Sequence, residues 1–154
     1  MSPRLLVVSH SKTGGTARML EAVLAGAHND AIEGVDIVAM AALEAGPDDV
    51  RAADALVLGT PENFGYMSGA LKHFFDSVYH EVIDDTRGMP FGLFVKAGND
   101  GTGAVAAIEP LTTGLGWRQV LPPVVAVGDL EPAHLEACEE LGATLSAGLA
   151  YGGL

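Results

Sequence analysis

The stretch "RLLVVSHSKTGGTARMLEAVLAGA", Arg4 to Ala27, joins an apolar run to a helix-like pattern through eight residues dense in serine, threonine and glycine. Leu5–Val8 is apolar without alternation, which is how a strand covered on both faces reads. Past the loop, Leu20, Val23, Leu24 and Ala27 recur at i, i+3, i+4 and i+7, one apolar stripe on a helix.

Four more apolar runs follow at Val35–Val38, Ala55–Leu58, Phe91–Val95 and Val124–Val127, all read as strands buried on both faces. Helical patterns separate and follow them. The second helix, around Asp48–Ala53, is short; the third carries Leu71, Phe74, Phe75 and Val78; the last carries Leu135, Cys138 and Leu145 after Pro132. The fourth, near Ala104–Leu115, contains Pro110, so a kink or a late start is expected. Strand and helix alternating five times predict an α/β fold: a five-stranded parallel sheet in the order 2-1-3-4-5 with helices on both faces. In that order the direction of growth reverses between the first and third strands, and a ligand belongs there, outside the carboxyl ends. The loops after strands one, three and four, "SHSKTGGT", "TPENFGYMSG" and "AGNDGTG", all fall at that edge.

With 154 residues the chain suits a single domain, 1–154. No apolar run approaches the roughly 20 residues of a membrane helix, and the amino-terminal apolar run is too short for a secretory leader. A cytoplasmic protein with no membrane partner is expected. The net charge of -12, from 20 acidic and 8 basic residues without any basic cluster, excludes nucleic acid, whose phosphates need neutralising. The acidity serves solubility or docking to a basic partner. The lone cysteine, Cys138, cannot close an internal disulfide and reads as a buried structural thiol. His73 and His80 stand seven apart without H-x-x-x-H spacing, so no metal site is expected.

"SHSKTGGT" is neither of two well-known phosphate loops. In a nucleotide-triphosphate loop the lysine follows the glycines, whereas Lys12 precedes them. The Gly14–Gly15 pair also cannot be laid onto G-x-G-x-x-G. There remains a turn of hydroxyls, Ser9, Ser11, Thr13 and Thr16, with Gly14 and Gly15 free to take left-handed angles and present N–H groups at the positive end of a helix. Such a nest suits one terminal phosphomonoester. A plain N-capping turn is the competing reading.

Ser11-Lys12-Thr13-Gly14-Gly15-Thr16 is similar to the S-x-T-G-x-T phosphate loop of flavodoxins, which wraps the phosphate of FMN. Gly59 to Gly69, "GTPENFGYMSG", resembles the G-T-P-x-x-F-G-x-M-S-G segment of the Trp-repressor-binding-protein type of NAD(P)H:quinone oxidoreductases. Leu71–Asp76, "LKHFFD", resembles the L-K-x-x-x-D of NADPH-dependent FMN reductases. The resemblance implies a flavodoxin-like three-layer sandwich. It also implies FMN as cofactor, held at its phosphate by Ser9, Ser11, Lys12, Thr13, Gly14, Gly15 and Thr16. Thr60, Pro61, Glu62, Asn63, Phe64, Gly65 and Tyr66 would line the ring and ribityl chain, with Pro61, Phe64 and Tyr66 as its wall. Ala97, Gly98, Asn99, Asp100 and Gly101 would offer backbone donors to the pyrimidine end, which favour the reduced, anionic ring.

The expected activity is electron transfer from NAD(P)H through bound FMN to a small-molecule acceptor such as a quinone or free flavin, with no side-chain acid or base required. The third loop has no aromatic residue, and one-electron flavodoxins often sandwich the ring between two. That leaves one ring face open to a substrate and tilts the reading toward an enzyme. The alternative is a flavodoxin-type single-electron carrier docking its acidic face to a redox partner protein. A homodimer is a further expectation of the "LKHFFD" resemblance.

Overall fold

Strand β1 (Arg4–Ser9) sorts its side chains by parity, as a pleated strand must. Leu5 and Val7 enter one core cluster with Met19, Val23, Cys138, Leu141 and Leu145. Leu6 and Val8 enter another with Leu71, Phe74, Phe75, Val78 and Ile108. Two cores on opposite faces of one sheet make three layers.

The computed structural model describes residues 2–11 and 14–154. After β1 come α1 (Gly15–Ala27), β2 (Asp36–Ala41), α2 (Pro47–Arg51), β3 (Ala55–Asn63), β4 (Tyr66–Met67) and α3 (Gly69–Val82). Then follow β5 (Pro90–Ala97), α4 (Thr102–Leu115), β6 (Arg118–Gln119), β7 (Val124–Val127) and α5 (Pro132–Tyr151). The parallel strands lie in the order β2-β1-β3-β5, with β6 and β7 both pairing β5 beyond it. The expected order 2-1-3-4-5 is therefore present, its fifth position divided between two short strands. Strand β4 is an addition, pairing antiparallel with the end of β3.

Strands β1 and β3 are buried on both faces, but β7 buries only Ala126, and β2 buries none of its residues, each being half-buried or exposed. It is an edge strand, flanked by β1 alone. On α1 the buried stripe is Met19, Ala22, Val23, Gly26 and Ala27, with Leu20 and Leu24 at its half-covered margin. Helix α3 buries all four expected residues. Helix α4 starts at Thr102, ahead of Pro110, and runs on through it, so the expected late start does not occur.

Helix α1 carries the first loop, and its position is set by α5. A Cβ at Gly142 would overlap the Val23 carbonyl oxygen, and one at Gly26 would overlap that of Glu139. The two helices thus meet backbone to backbone. Ser146 Oγ donates to the Ala27 carbonyl oxygen at 2.9 Å across the same contact. Among the described residues no helix is long and apolar enough to cross a membrane.

Replacing Gly142 by Ala forces α1 and α5 apart and is expected to cost at least about 2 kcal/mol, since overpacking typically costs about 1–3 kcal/mol; urea unfolding of G142A checks it. Cys138 is fully buried, and desolvation pushes its thiol up to about 12. At pH 8 it should resist a thiol-specific chromogenic reagent in the folded protein and react fully once denatured.

Candidate functional site

The register of the sheet brings three loops together. Ser9 of β1 stands opposite Gly59 of β3, and Gly59 stands opposite Phe94 of β5. The three strands are parallel neighbours, so the loops that follow their carboxyl ends project from the same edge of the sheet, with β3 and β5 running on past the end of β1.

In the first loop the His10 N–H donates to the Gly59 carbonyl at 3.2 Å, and Ser9 and Thr16 are buried. Ser11 Oγ accepts the Ala17 N–H at 3.2 Å. Gly14 has φ -55° and ψ -14°, and Gly15 is the first helical residue, so neither uses a left-handed conformation. Only Gly15 makes room for a neighbour. A Cβ on Gly14 would have no atom within 4 Å, while one on Gly15 would press on the Lys96 side chain at 3.1 Å. The first N–H groups of α1 have no acceptor within the helix, and no acidic residue occupies its first turn. An anion fits that chemistry. Lys12 and Thr13, two of the expected phosphate ligands, lie outside the described residues.

The second loop is largely a hairpin rather than an irregular loop. Strand β3 runs on to Asn63, turns at Phe64 and Gly65, and returns as β4, with Glu62 opposite Met67 and Asn63 opposite Tyr66. Both turn residues have positive φ, 53° and 72°, the combination that matches the twist of a two-residue hairpin. Phe64 at the tip is wholly exposed, and Tyr66 beside it is 42% exposed. Pro61, Glu62 and Asn63 are half-buried. Thr60 is fully buried, and its hydroxyl accepts the Ser68 N–H at 2.9 Å and donates to the Pro61 carbonyl at 2.7 Å. Thr60 therefore ties the hairpin shut at its base, while Ser68 caps α3 by accepting the Leu71 N–H at 3.1 Å.

In the third loop Ala97 is buried and its carbonyl accepts the Gly128 N–H at 2.8 Å, which ties the loop to the end of β7. Gly98, Asn99 and Asp100 are exposed, and Gly101 turns into α4 with φ 75°. Hydrogen bonds from the Thr102 hydroxyl at 2.8 Å and the Thr102 N–H at 3.0 Å hold the Asp100 carboxyl below its ordinary range. Its charge is thus turned to the start of α4, leaving the exposed backbone of 98–100 as the loop's outward face.

Two contacts lock the second loop to the third. Glu62 Oε2 accepts the Ala104 N–H at 3.0 Å, and Gly103 lies so close to the Gly65 carbonyl that a Cβ there would overlap it. These roles of Glu62 and Thr60 are not legible in the sequence, because each depends on a partner brought close by the turn or by the sheet. Lys96 also escapes sequence reasoning. Its one signal is a lysine near the carboxyl end of the otherwise apolar "PFGLFVKA". Among the described residues no three His, Cys, Asp or Glu side chains are grouped as a metal ion would require.

A parallel sheet in this order, covered by helices on both faces and carrying three loops at one carboxyl edge, defines the flavodoxin-like class of α/β proteins. The family model for "NADPH-dependent FMN reductase" matches residues 3–131. The chain belongs to that family, and FMN is the cofactor that goes with it. It is 33% identical over 110 residues to a flavodoxin of Aquifex aeolicus, covering 71% of this chain and 58% of that one. It is also 33% identical over 91 residues to an NAD(P)H dehydrogenase (quinone) of Acidithiobacillus ferrooxidans, covering 47% and 46% respectively. The chain thus spans about half the length of these curated relatives. Among solved structures, the WrbA-like flavodoxin from Agrobacterium tumefaciens superposes with a TM-score of 0.77 at 24% identity, covering 96% of this chain and 98% of that one, which shows the fold.

A left-handed conformation costs a side chain such as Phe64 about 1–2 kcal/mol, and asparagine tolerates it best. Because Phe64 buries nothing, F64N should raise the stability of the cofactor-free protein by about 1 kcal/mol; a urea titration reads it directly.

Proposed function

We propose that the three loops hold FMN and that the chain passes electrons from NAD(P)H to a small acceptor of the quinone or free-flavin kind. The observation that carries the reading is the parallel pairing of β1, β3 and β5, which puts a helix start without acidic residues, an aromatic hairpin tip and a loop of exposed backbone at one edge of the sheet. Ser11, Gly14, Gly15 and Thr16 would hold the phosphate at the start of α1, together with Lys12 and Thr13. The hairpin would set Pro61, Phe64 and Tyr66 along the ring, while backbone of Gly98, Asn99 and Asp100 would face its pyrimidine end. FMN held there would supply the chemistry of hydride and electron transfer. The protein's part is to fix the ring between hairpin and third loop, a distance that the Glu62–Ala104 hydrogen bond keeps constant. Matches to the FMN reductase family and to a quinone dehydrogenase support two-electron chemistry.

A second reading, a single-electron carrier with a basic protein partner, is favoured by the likeness to the Aquifex flavodoxin and by the net charge of -12. One experiment separates the two. Protein loaded with FMN, desalted and kept anaerobic should retain a flavin spectrum, and this should bleach directly on adding NADPH or NADH. Retained flavin that ignores both nucleotides would favour the carrier, and no retained flavin would overturn both readings.

A further inference from the structure

Lys96 lies two residues beyond Phe94 on β5, and so on the same face of the sheet, the one covered by α1 and α5. It is opposite Pro61 of β3 and Ala126 of β7, at the outermost paired level of the carboxyl edge but one. From there its stem crosses the first residue of α1. A Cβ on Gly15 would stand 3.1 Å from Lys96 Cγ, 3.1 Å from Cε and 3.4 Å from Cδ. The ammonium, one bond past Cε, is consequently held at the first turn of α1, and the absence of a side chain at Gly15 makes room for that path.

Its electrostatic setting is unlike that of the other cations with known partners. Arg4 pairs with Asp36, Lys72 with Asp76, and Arg51 with Asp48, Glu81 and Asp85. Lys96 forms no ion pair among the described residues, and neither do Arg18, Arg87 and Arg118; what sets Lys96 apart is where its stem lies. It sits instead beside the positive end of a helix that has no acidic residue in its first turn. Two positive sources set together repel one another, and the arrangement becomes favourable only around an anion.

We infer that Lys96 is the counter-charge of the flavin phosphate: reaching in from the fourth parallel strand, it makes the site select FMN over riboflavin. This rests on the proposal that the loops hold FMN. Hydroxyls and N–H groups bind a phosphate by neutral hydrogen bonds, and the Lys96 ammonium adds a charge-assisted bond that the phosphate-free vitamin cannot make. Lys96 is a binding residue in this assignment and takes no part in electron transfer.

The test is a fluorescence titration of the full chain with FMN and with riboflavin, using wild type, K96M, K96R and K72M. Met keeps an unbranched stem beside Gly15 without the charge, and Lys72 pairs with Asp76 on α3. K96M should lose roughly tenfold or more in FMN affinity, the size of one charge-assisted hydrogen bond, with riboflavin affinity unchanged. K96R should recover most of the loss, and K72M should match wild type for both ligands. FMN affinity within about twofold of wild type in K96M would overturn the assignment while leaving the FMN reading intact. Equal losses for FMN and riboflavin would also overturn it, by making Lys96 a packing residue. Wild type that binds neither flavin would overturn the FMN reading itself, and the assignment with it.

Discussion

The parallel register of β1, β3 and β5 is the constraint on which the rest depends. Ser9, Gly59 and Phe94 form one row of neighbours, so the loops that follow the three strands rise from one edge of the sheet. A shift of one residue in either pairing would turn every side chain of a strand to the opposite face, because the period is two. It would carry Leu5 and Val7 out of the core they share with α1 and α5 and put Leu6 and Val8 in their place. The burial that stabilises the fold and the alignment of the loops are therefore one specification. This is why the site needs so few dedicated residues.

Around that register, short-range locks turn a cluster of loops into a rigid edge. The Thr60 hydroxyl closes the hairpin, Glu62 joins it to the start of α4, and Gly103 lets the two backbones touch. On the other side, paired glycines bring α1 against α5 and so set where the first loop begins. Among the described residues the one non-glycine at positive φ is at the hairpin tip, where Phe64 combines it with full exposure. A residue that loses stability for no packing gain is best explained by the surface it presents outward.

The three loops are legible in the sequence because each combines a buried run, a cluster of turn residues and a helix start, all local signals. Leu71, Phe74, Phe75 and Val78 are equally legible, since a helix of that period has only one way to bury them. The hairpin is not, because its turn is Phe-Gly in place of the usual Asn-Gly, and no propensity anticipates phenylalanine at positive φ. Gly14 and Gly15 do not take the left-handed angles expected of them, and at Gly15 the value is room for the Lys96 side chain, which no single segment reveals.

The amino-acid sequence by itself determined the alternation of strand and helix, the order that such alternation takes, and the places of the three loops between strand and helix. These come from local periodicity and from residue types whose preferences survive in any context. The tertiary structure alone decided that β2 is half-exposed, that Glu62 holds α4, that Gly142 must be small and that Lys96 lies across Gly15. Each of those facts belongs to a pair of residues far apart in the chain, and the energy of such a pair exists only once the sheet has brought its members within contact distance.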